Sequence, residues 1–194
     1  MTNEWDAYAS DWDVDPSVTD YANKAFESLS KIIKLDGLSV MDFGCGTGSL
    51  SQLLSPRVNN IVALDGSSQM ISVFESKKLE NVSTLCGFLS EELIQNERLL
   101  QNQFDLIVAS SVCSFLPDYP GTLALLKSLL KEGGMFVQWD WLTPDDDADM
   151  GLSENTVRQV LSEQGFSQII IQQPFVMNSS KGSMSVLMAS AMNS

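Results

Sequence analysis

The sequence predicts an α/β fold, doubly wound around a mostly parallel seven-stranded sheet. Three observations carry that expectation. Short apolar runs alternate with segments of helical period along most of the chain. The first apolar run ends in glycines at every second position, Gly44, Gly46 and Gly48, where an open α/β sheet places a ligand-binding turn ahead of a helix. Two strand-like runs then follow one another directly near the C-terminus, which predicts an antiparallel hairpin on one edge of the sheet.

Taken in order, Trp5, Tyr8 and Trp12 fall at i, i+3 and i+7 and predict one helix face packed on the sheet edge. Asp20–Lys34 carries apolar residues at 22, 25, 26, 29, 32 and 33, a helical period. Leu38–Phe43 is the first strand, and a helix follows the glycines over 48–55. Asn60–Leu64 is the second strand, and Ser67–Lys78 is a helix capped by Ser67 or Ser68. Val82–Cys86 is the third strand, with a helix over Ser90–Leu100. Phe104–Ala109 is the fourth strand, Tyr119–Lys131 a helix and Gly134–Asp140 the fifth strand. An acidic loop occupies Asp145–Asp149, and Ser153–Gln164 is a helix with Ser153 as cap and Gly165 as stop. Gln168–Gln173 and Ser183–Ala189 are the closing strands, turned at 179–182.

The 194 residues, 44% apolar, are enough for one domain with a sizeable core, and residues 1–194 are read as such. The segment 1–20 is expected to cover the pocket at the strand ends. No apolar run reaches the length of a membrane span. The first five residues lack the basic start and apolar core of a signal peptide, and three scattered cysteines form neither a disulfide framework nor a zinc spacing. A reducing cytoplasm is the expected compartment. A net charge of −14, with eleven scattered basic residues, disfavours a nucleic-acid partner. Histidine is absent. That removes the usual neutral-pH base, the Ser-His and Cys-His dyads and the commonest metal ligand, so no metal site is expected.

The glycine spacing separates two ligand classes. A dinucleotide fold places its third glycine three after the second, at position 49, which is Ser49. Asp42 lies two residues before the first glycine, where a carboxylate would gain nothing from a pyrophosphate but something from a ligand bearing an amino group and a sulfonium. Asp65 ends the second apolar strand at the distance expected of an acid that accepts hydrogen bonds from ribose hydroxyls, about 20 residues past the loop.

On these residues the chain resembles the class I S-adenosylmethionine-dependent methyltransferases of the small single-domain, small-molecule type. The resemblance covers nearly the whole length. Val40–Gly48 matches the family's first motif, Asp65 its ribose-binding acid, Phe104–Ala109 its fourth strand, and Leu130–Val137 its following turn and fifth strand. It implies a Rossmann-like methyltransferase fold and S-adenosyl-L-methionine as cofactor. It further implies a loop of Gly44, Cys45, Gly46 and Gly48 around that cofactor, with Asp42 ordering the loop and helping to hold the methionine amino group. Gly66, Ser67 and Met70 would border the adenine, and backbone near Ser110 would face the methionine end. Gly87-Phe88-Leu89 replaces the family's commoner Gly-Asp-Ala stretch, so backbone of Phe88 or Leu89, or else Ser90, would replace the missing acid at the adenine amino group.

The acceptor is approached through composition. All four tryptophans lie in two segments, Trp5 with Trp12 and Trp139 with Trp141. Residues 1–23 and 132–157 also hold many acids and no Lys or Arg. Both segments are expected to border the substrate pocket. Rings and carboxylates without cations suit a neutral or cationic acceptor better than an anionic one, although the same pattern describes a packed helix face beside a solvated acidic surface. Tyr8 and Asp140 are the candidate catalytic residues where the acceptor must lose a proton, and Cys113 is expected to be a semi-buried thiol rather than a nucleophile. The expected function is methyl transfer to a small molecule by in-line displacement. The alternative is a protein of the same fold that binds S-adenosylmethionine without turnover.

Overall fold

The structure, a computed structural model, describes residues 4–144, 151–179 and 182–194. Strands β1 (Ser39–Phe43), β2 (Asn60–Asp65), β3 (Val82–Cys86), β4 (Phe104–Ser110), β5 (Leu130–Trp141), β6 (Phe166–Ser179) and β7 (Gly182–Asn193) form one sheet in the order β3-β2-β1-β4-β5-β7-β6. The first five strands are parallel, and β7 runs antiparallel between β5 and β6. The doubly wound sheet and its C-terminal hairpin are as the sequence predicts.

Alternation along the strands sends side chains to two cores. Met41, Phe43, Ile107, Ala109 and Phe136 pack with α6 (Tyr119–Leu129) and α7 (Glu154–Glu163) through Leu123, Leu126, Val157 and Leu161. Val40, Leu106, Val108, Val137 and Trp139 pack on the other face with α2 (Pro16–Ser30), α3 (Ser49–Leu54) and α4 (Ser68–Ser76) through Ala25, Leu29, Leu50, Leu54 and Phe74. Helices on both faces leave the carboxyl ends of β1, β2, β4 and β5 as the edge on which a ligand can sit.

The helix starts have local causes. Asp15 accepts a hydrogen bond from the Ser17 N–H and Pro16 occupies the first turn, so α2 begins four residues before the expected start at Asp20. Ser67, Ser90, Asp118 and Ser153 cap α4, α5 (Glu91–Asn96), α6 and α7 in the same way. The Trp5–Trp12 segment is not one helix. A 3₁₀ turn at Glu4–Ala7 leads through Tyr8 into α1 (Ala9–Trp12). The rings still converge, with Trp5 centroids 6.0 Å from Tyr8, 6.1 Å from Trp12 and 5.1 Å from Phe115.

The last three strands are longer than expected, β7 running on past Ala189 to Asn193. β5 starts at Leu130, paired with Phe104, and shifts register before Met135. β6 continues past Pro174, with irregular pairing between Gln172 and Phe175. An edge strand tolerates proline at such a bulge because no ladder N–H is lost.

Candidate functional site

The glycine loop is built by close approach. Gly44, Gly46 and Gly48 all have positive φ (68°, 54° and 84°). A Cβ on Gly44 would strike Val112, and one on Gly48 would lie 2.6 Å from the Phe74 ring, whereas one on Gly46 would meet nothing within 4 Å. Two of the glycines therefore serve packing, and the middle one opens onto free space. The loop is held from below, with the Gly44 and Cys45 N–H groups bonded to the Leu64 carbonyl at 2.8 and 3.1 Å.

Asp65 lies beside it. Its carboxylate accepts the Gly46 N–H at 2.8 Å on one oxygen and the Ser67 N–H at 2.8 Å on the other. Burial raises its pKa above the ordinary value, partly offset by these two bonds. Asp42 is fully buried and accepts the Ser51 hydroxyl at 2.6 Å. Burial first, against the Ser51 bond, and then the nearby Asp65 charge push its pKa up to about 6. Asp42 thus ties the end of β1 to α3 beneath the loop.

The N-terminal segment is tied down beside these groups. The Ser67 hydroxyl donates to Asp6 at 2.6 Å, and the Thr47 hydroxyl donates to Asp13 at 2.6 Å. Asp13 also pairs with Lys77 at 2.7 Å. The 3₁₀ turn and α1 both pack on α4. Met70 is buried at the start of α4, Phe88 is 75% exposed, and Leu89 is half-buried.

Two strands further along, β4 and β5 end in a second polar cluster. Ser110 ends β4, and Ser111 follows with φ 57°, a left-handed conformation that costs energy for a residue with a Cβ. Its N–H donates to the Trp139 carbonyl at 2.7 Å. Asp140 is fully buried, accepting the Ser114 N–H at 3.0 Å and Gln138 Nε2 at 2.9 Å, and Tyr119 donates to the same Gln138 at 2.6 Å. Burial, resisted by those bonds, pushes the Asp140 pKa up to about 7.

The structure joins Asp42, the glycine loop, Asp65, Gly66 and Ser67 in one edge, with Ser110 and Asp140 further along it. Tyr8 stands apart from Asp140. It is 57% exposed and approaches through the ring chain from Trp5 to Phe115, the neighbour of Ser114. One expectation is corrected. Trp139 does not border a pocket but is fully buried beneath α2, its indole N–H donating to Ser28 at 2.9 Å. Successive strand residues face opposite sides, so Trp139 cannot share the face of Asp140. Trp141 is half-buried against Tyr21, 5.5 Å between ring centroids. Asp145, Asp146, Asp147 and Asp149 lie outside the described residues.

Asp6 and Asp13 were not singled out by sequence. Their only signal was membership of a segment with acids and no cations. Burial pushes the Cys45 and Cys113 thiols well up, so neither is poised as a nucleophile. Among the described residues no group of three or more His, Cys, Asp or Glu is placed to hold a metal ion, and no helix is long and apolar enough to cross a membrane.

A family model described as a methyltransferase domain matches residues 18–172. The chain is 29% identical over 144 residues to an uncharacterized methyltransferase of Schizosaccharomyces pombe, covering 66% of this chain and 51% of that protein. It is 32% identical over 133 residues to a malonyl-(acyl-carrier protein) O-methyltransferase of Priestia megaterium, covering 67% and 44%. The chain thus spans about half the length of the curated relatives it matches. Among solved structures it is similar in fold to a SAM-dependent methyltransferase from Aquifex aeolicus, with TM-score 0.71, 24% identity, and 93% and 94% of the two chains covered. The DhpI–SAM–HEP complex is similar too, with TM-score 0.74, 20% identity, and 96% and 93% covered.

Proposed function

The chain belongs to the methyltransferase family, and on that premise we propose that it moves a methyl group from S-adenosylmethionine to a small-molecule acceptor that is neutral or cationic. The observation that carries this reading is Asp65. It bridges the Gly46 and Ser67 N–H groups, and each carboxylate oxygen keeps acceptor capacity for a ribose hydroxyl. Beside it, the Gly46 position is open where a Cβ would project, which suits close approach of a cofactor to the backbone.

When bound, this cofactor supplies a methyl group activated by its sulfonium, and the protein's share is alignment and exclusion of water. Gly44, Cys45, Gly46 and Gly48 cradle the cofactor through their backbone, and Asp42, through Ser51, holds that loop in place. Gly66, Ser67, Met70, Phe88 and Leu89 border the adenine, and the Ser110 backbone faces the methionine end. The segment 1–20 covers the site within one domain. Its contacts through Asp6 and Asp13 favour that arrangement. Asp140, with a pKa raised towards neutrality, takes the proton of an acceptor that must lose one, and Tyr8 stands at the mouth with Trp5. The three free thiols suit a reducing cytoplasmic setting.

Calorimetry with S-adenosylhomocysteine tests the donor half. Binding by the wild type and a loss of about a hundredfold in Asp65→Ala are expected, two charge-assisted hydrogen bonds being at stake. Wild-type protein without affinity for that ligand would refute the reading. Transfer of labelled methyl to a panel of amines, phenols and carboxylates tests turnover, and transfer to none of them would favour binding without catalysis.

A further inference from the structure

Among the described residues, the buried hydroxyls of Tyr21 and Ser114 have no hydrogen-bond partner. Both belong to the cluster at the ends of β4 and β5. Tyr21 is 8% exposed, and its hydroxyl lies near Ser111, Cys113 and Asp140. Ser114 Oγ lies beside the Asp140 carboxylate, whose other neighbours are the Ser114 N–H and Gln138 Nε2. Rings hold Tyr21 in place. Trp141 and Phe175 contact it at centroid distances of 5.5 and 5.4 Å, both near edge-on. The hydroxyl therefore cannot swing out to water without breaking two aromatic contacts.

A buried hydroxyl with no partner destabilises the protein that carries it, and two side by side call for a reason. The Tyr119–Gln138–Asp140 chain is complete without either. The Asp140 carboxylate lies beside the Ser114 hydroxyl and within electrostatic reach of the Tyr21 hydroxyl, and the groups that approach that carboxylate are two amides and a hydroxyl, none of them a cation. The chemical complement is a primary ammonium, which brings three N–H donors and the missing positive charge. An anionic group would meet Asp140 as a like charge, and a hydroxyl would offer a single donor.

We propose that Tyr21, Ser114 and Asp140 bind the ammonium group of the methyl acceptor, with the Trp141 and Phe175 rings forming the adjoining apolar wall. This rests on the methyltransferase reading above and narrows its acceptor from neutral or cationic to a primary amine beside an apolar or aromatic body. The site stands on β4 and β5, while the ribose acid Asp65 stands on β2, across β1 in the sheet. Acceptor and adenosine thus occupy different strand ends.

The test is calorimetric titration of the protein, saturated with S-adenosylhomocysteine, with phenethylamine, 2-phenylethanol and phenylacetate. The expected order is amine first, by about tenfold over the alcohol, with phenylacetate weakest, since a charge-assisted bond contributes roughly that factor. Tyr21→Phe and Ser114→Ala should each remove most of the amine's lead and leave S-adenosylhomocysteine affinity within about twofold. The proposal is overturned if the amine binds no tighter than the alcohol, or if both variants keep its preference. It is equally overturned if they lose S-adenosylhomocysteine instead, because the cluster would then serve the donor's own amino group. Failure of the wild type to bind S-adenosylhomocysteine is a different result, and it removes the methyltransferase reading itself.

Discussion

The carboxylate of Asp13 accepts a 2.6 Å hydrogen bond from the hydroxyl of Thr47, tying the N-terminal segment to the glycine loop. The same carboxylate pairs with Lys77 after α4 at 2.7 Å. With Asp6 on Ser67, it attaches the N-terminal segment at two points beside the strand ends.

Asp13→Ala should loosen that attachment by about 1 kcal/mol, the ordinary net value of a hydrogen bond, which is about fivefold in the detached population. Limited proteolysis within residues 4–15 should speed up by that factor while global unfolding barely moves. Burial would raise the Asp13 pKa, but the Lys77 and Thr47 bonds outweigh it and hold it below 3.8. Its stabilisation is therefore complete above that ordinary value and lost as pH falls through the lowered one. The variant and wild type should become equally protease-sensitive under strongly acidic conditions and differ at neutral pH.

The three loop glycines should separate under mutation to alanine. Gly44→Ala and Gly48→Ala meet Val112 and the Phe74 ring and should cost about 2–4 kcal/mol in urea unfolding. Gly46→Ala adds a methyl to open space at φ 54°, so its stability cost should be only about 1–2 kcal/mol. Its loss should appear instead in S-adenosylhomocysteine affinity, because the methyl stands in the proposed cradle. Equal stability losses in all three variants would contradict this division.

Asp140→Asn should change the pH dependence of stability. The folded pKa of Asp140 is raised to about 7, so its contribution is complete below the ordinary carboxylate value and lost as pH rises towards 7. Melting temperatures measured from pH 4 to 9 should show the variant gaining on the wild type up to about pH 7, with no further change above it. Parallel curves across that range would argue that Asp140 ionises normally.

Two buried tyrosines should respond in opposite ways to loss of their hydroxyls. Tyr119 donates to Gln138 at 2.6 Å, and Tyr119→Phe leaves a buried amide oxygen unpaired, costing about 1–3 kcal/mol. The Tyr21 hydroxyl has no partner to lose, so Tyr21→Phe should be neutral or stabilising by up to about 1 kcal/mol. Thermal denaturation of the two variants, free of ligand, measures the difference.

Much of the fold was legible along the chain because its signals are local. The apolar run Ile61–Leu64 alternates with capped helices, and β1 and β3 lie within a residue of where periodicity puts them. The starts of α2 and β5 were less legible. Pro16 and the Asp15 cap extend α2 beyond its apolar stripe, and β5 opens on Leu130, which pairs with Phe104 ahead of a polar and glycine stretch where the register shifts. β6 outran its reading because Pro174 breaks the alternation while the edge position makes that break harmless.

The site divides along the same line. The sequence by itself determined the proposed donor half: Asp42, the alternate glycines and Asp65 sit at fixed spacing because one strand–turn–helix unit and the next strand end position them all. The proposed acceptor half was decided only by tertiary structure. Tyr21 on α2, Ser114 after β4 and Asp140 on β5 share no spacing, and they approach one another only around the carboxyl ends of β4 and β5. The sequence likewise grouped Trp139 with Trp141 and Asp140, but the two-residue period of a strand sends Trp139 into the core and Asp140 to the other face. Adjacency in a chain fixes composition, and only the direction of each Cα–Cβ bond in the folded sheet decides which neighbours become a site.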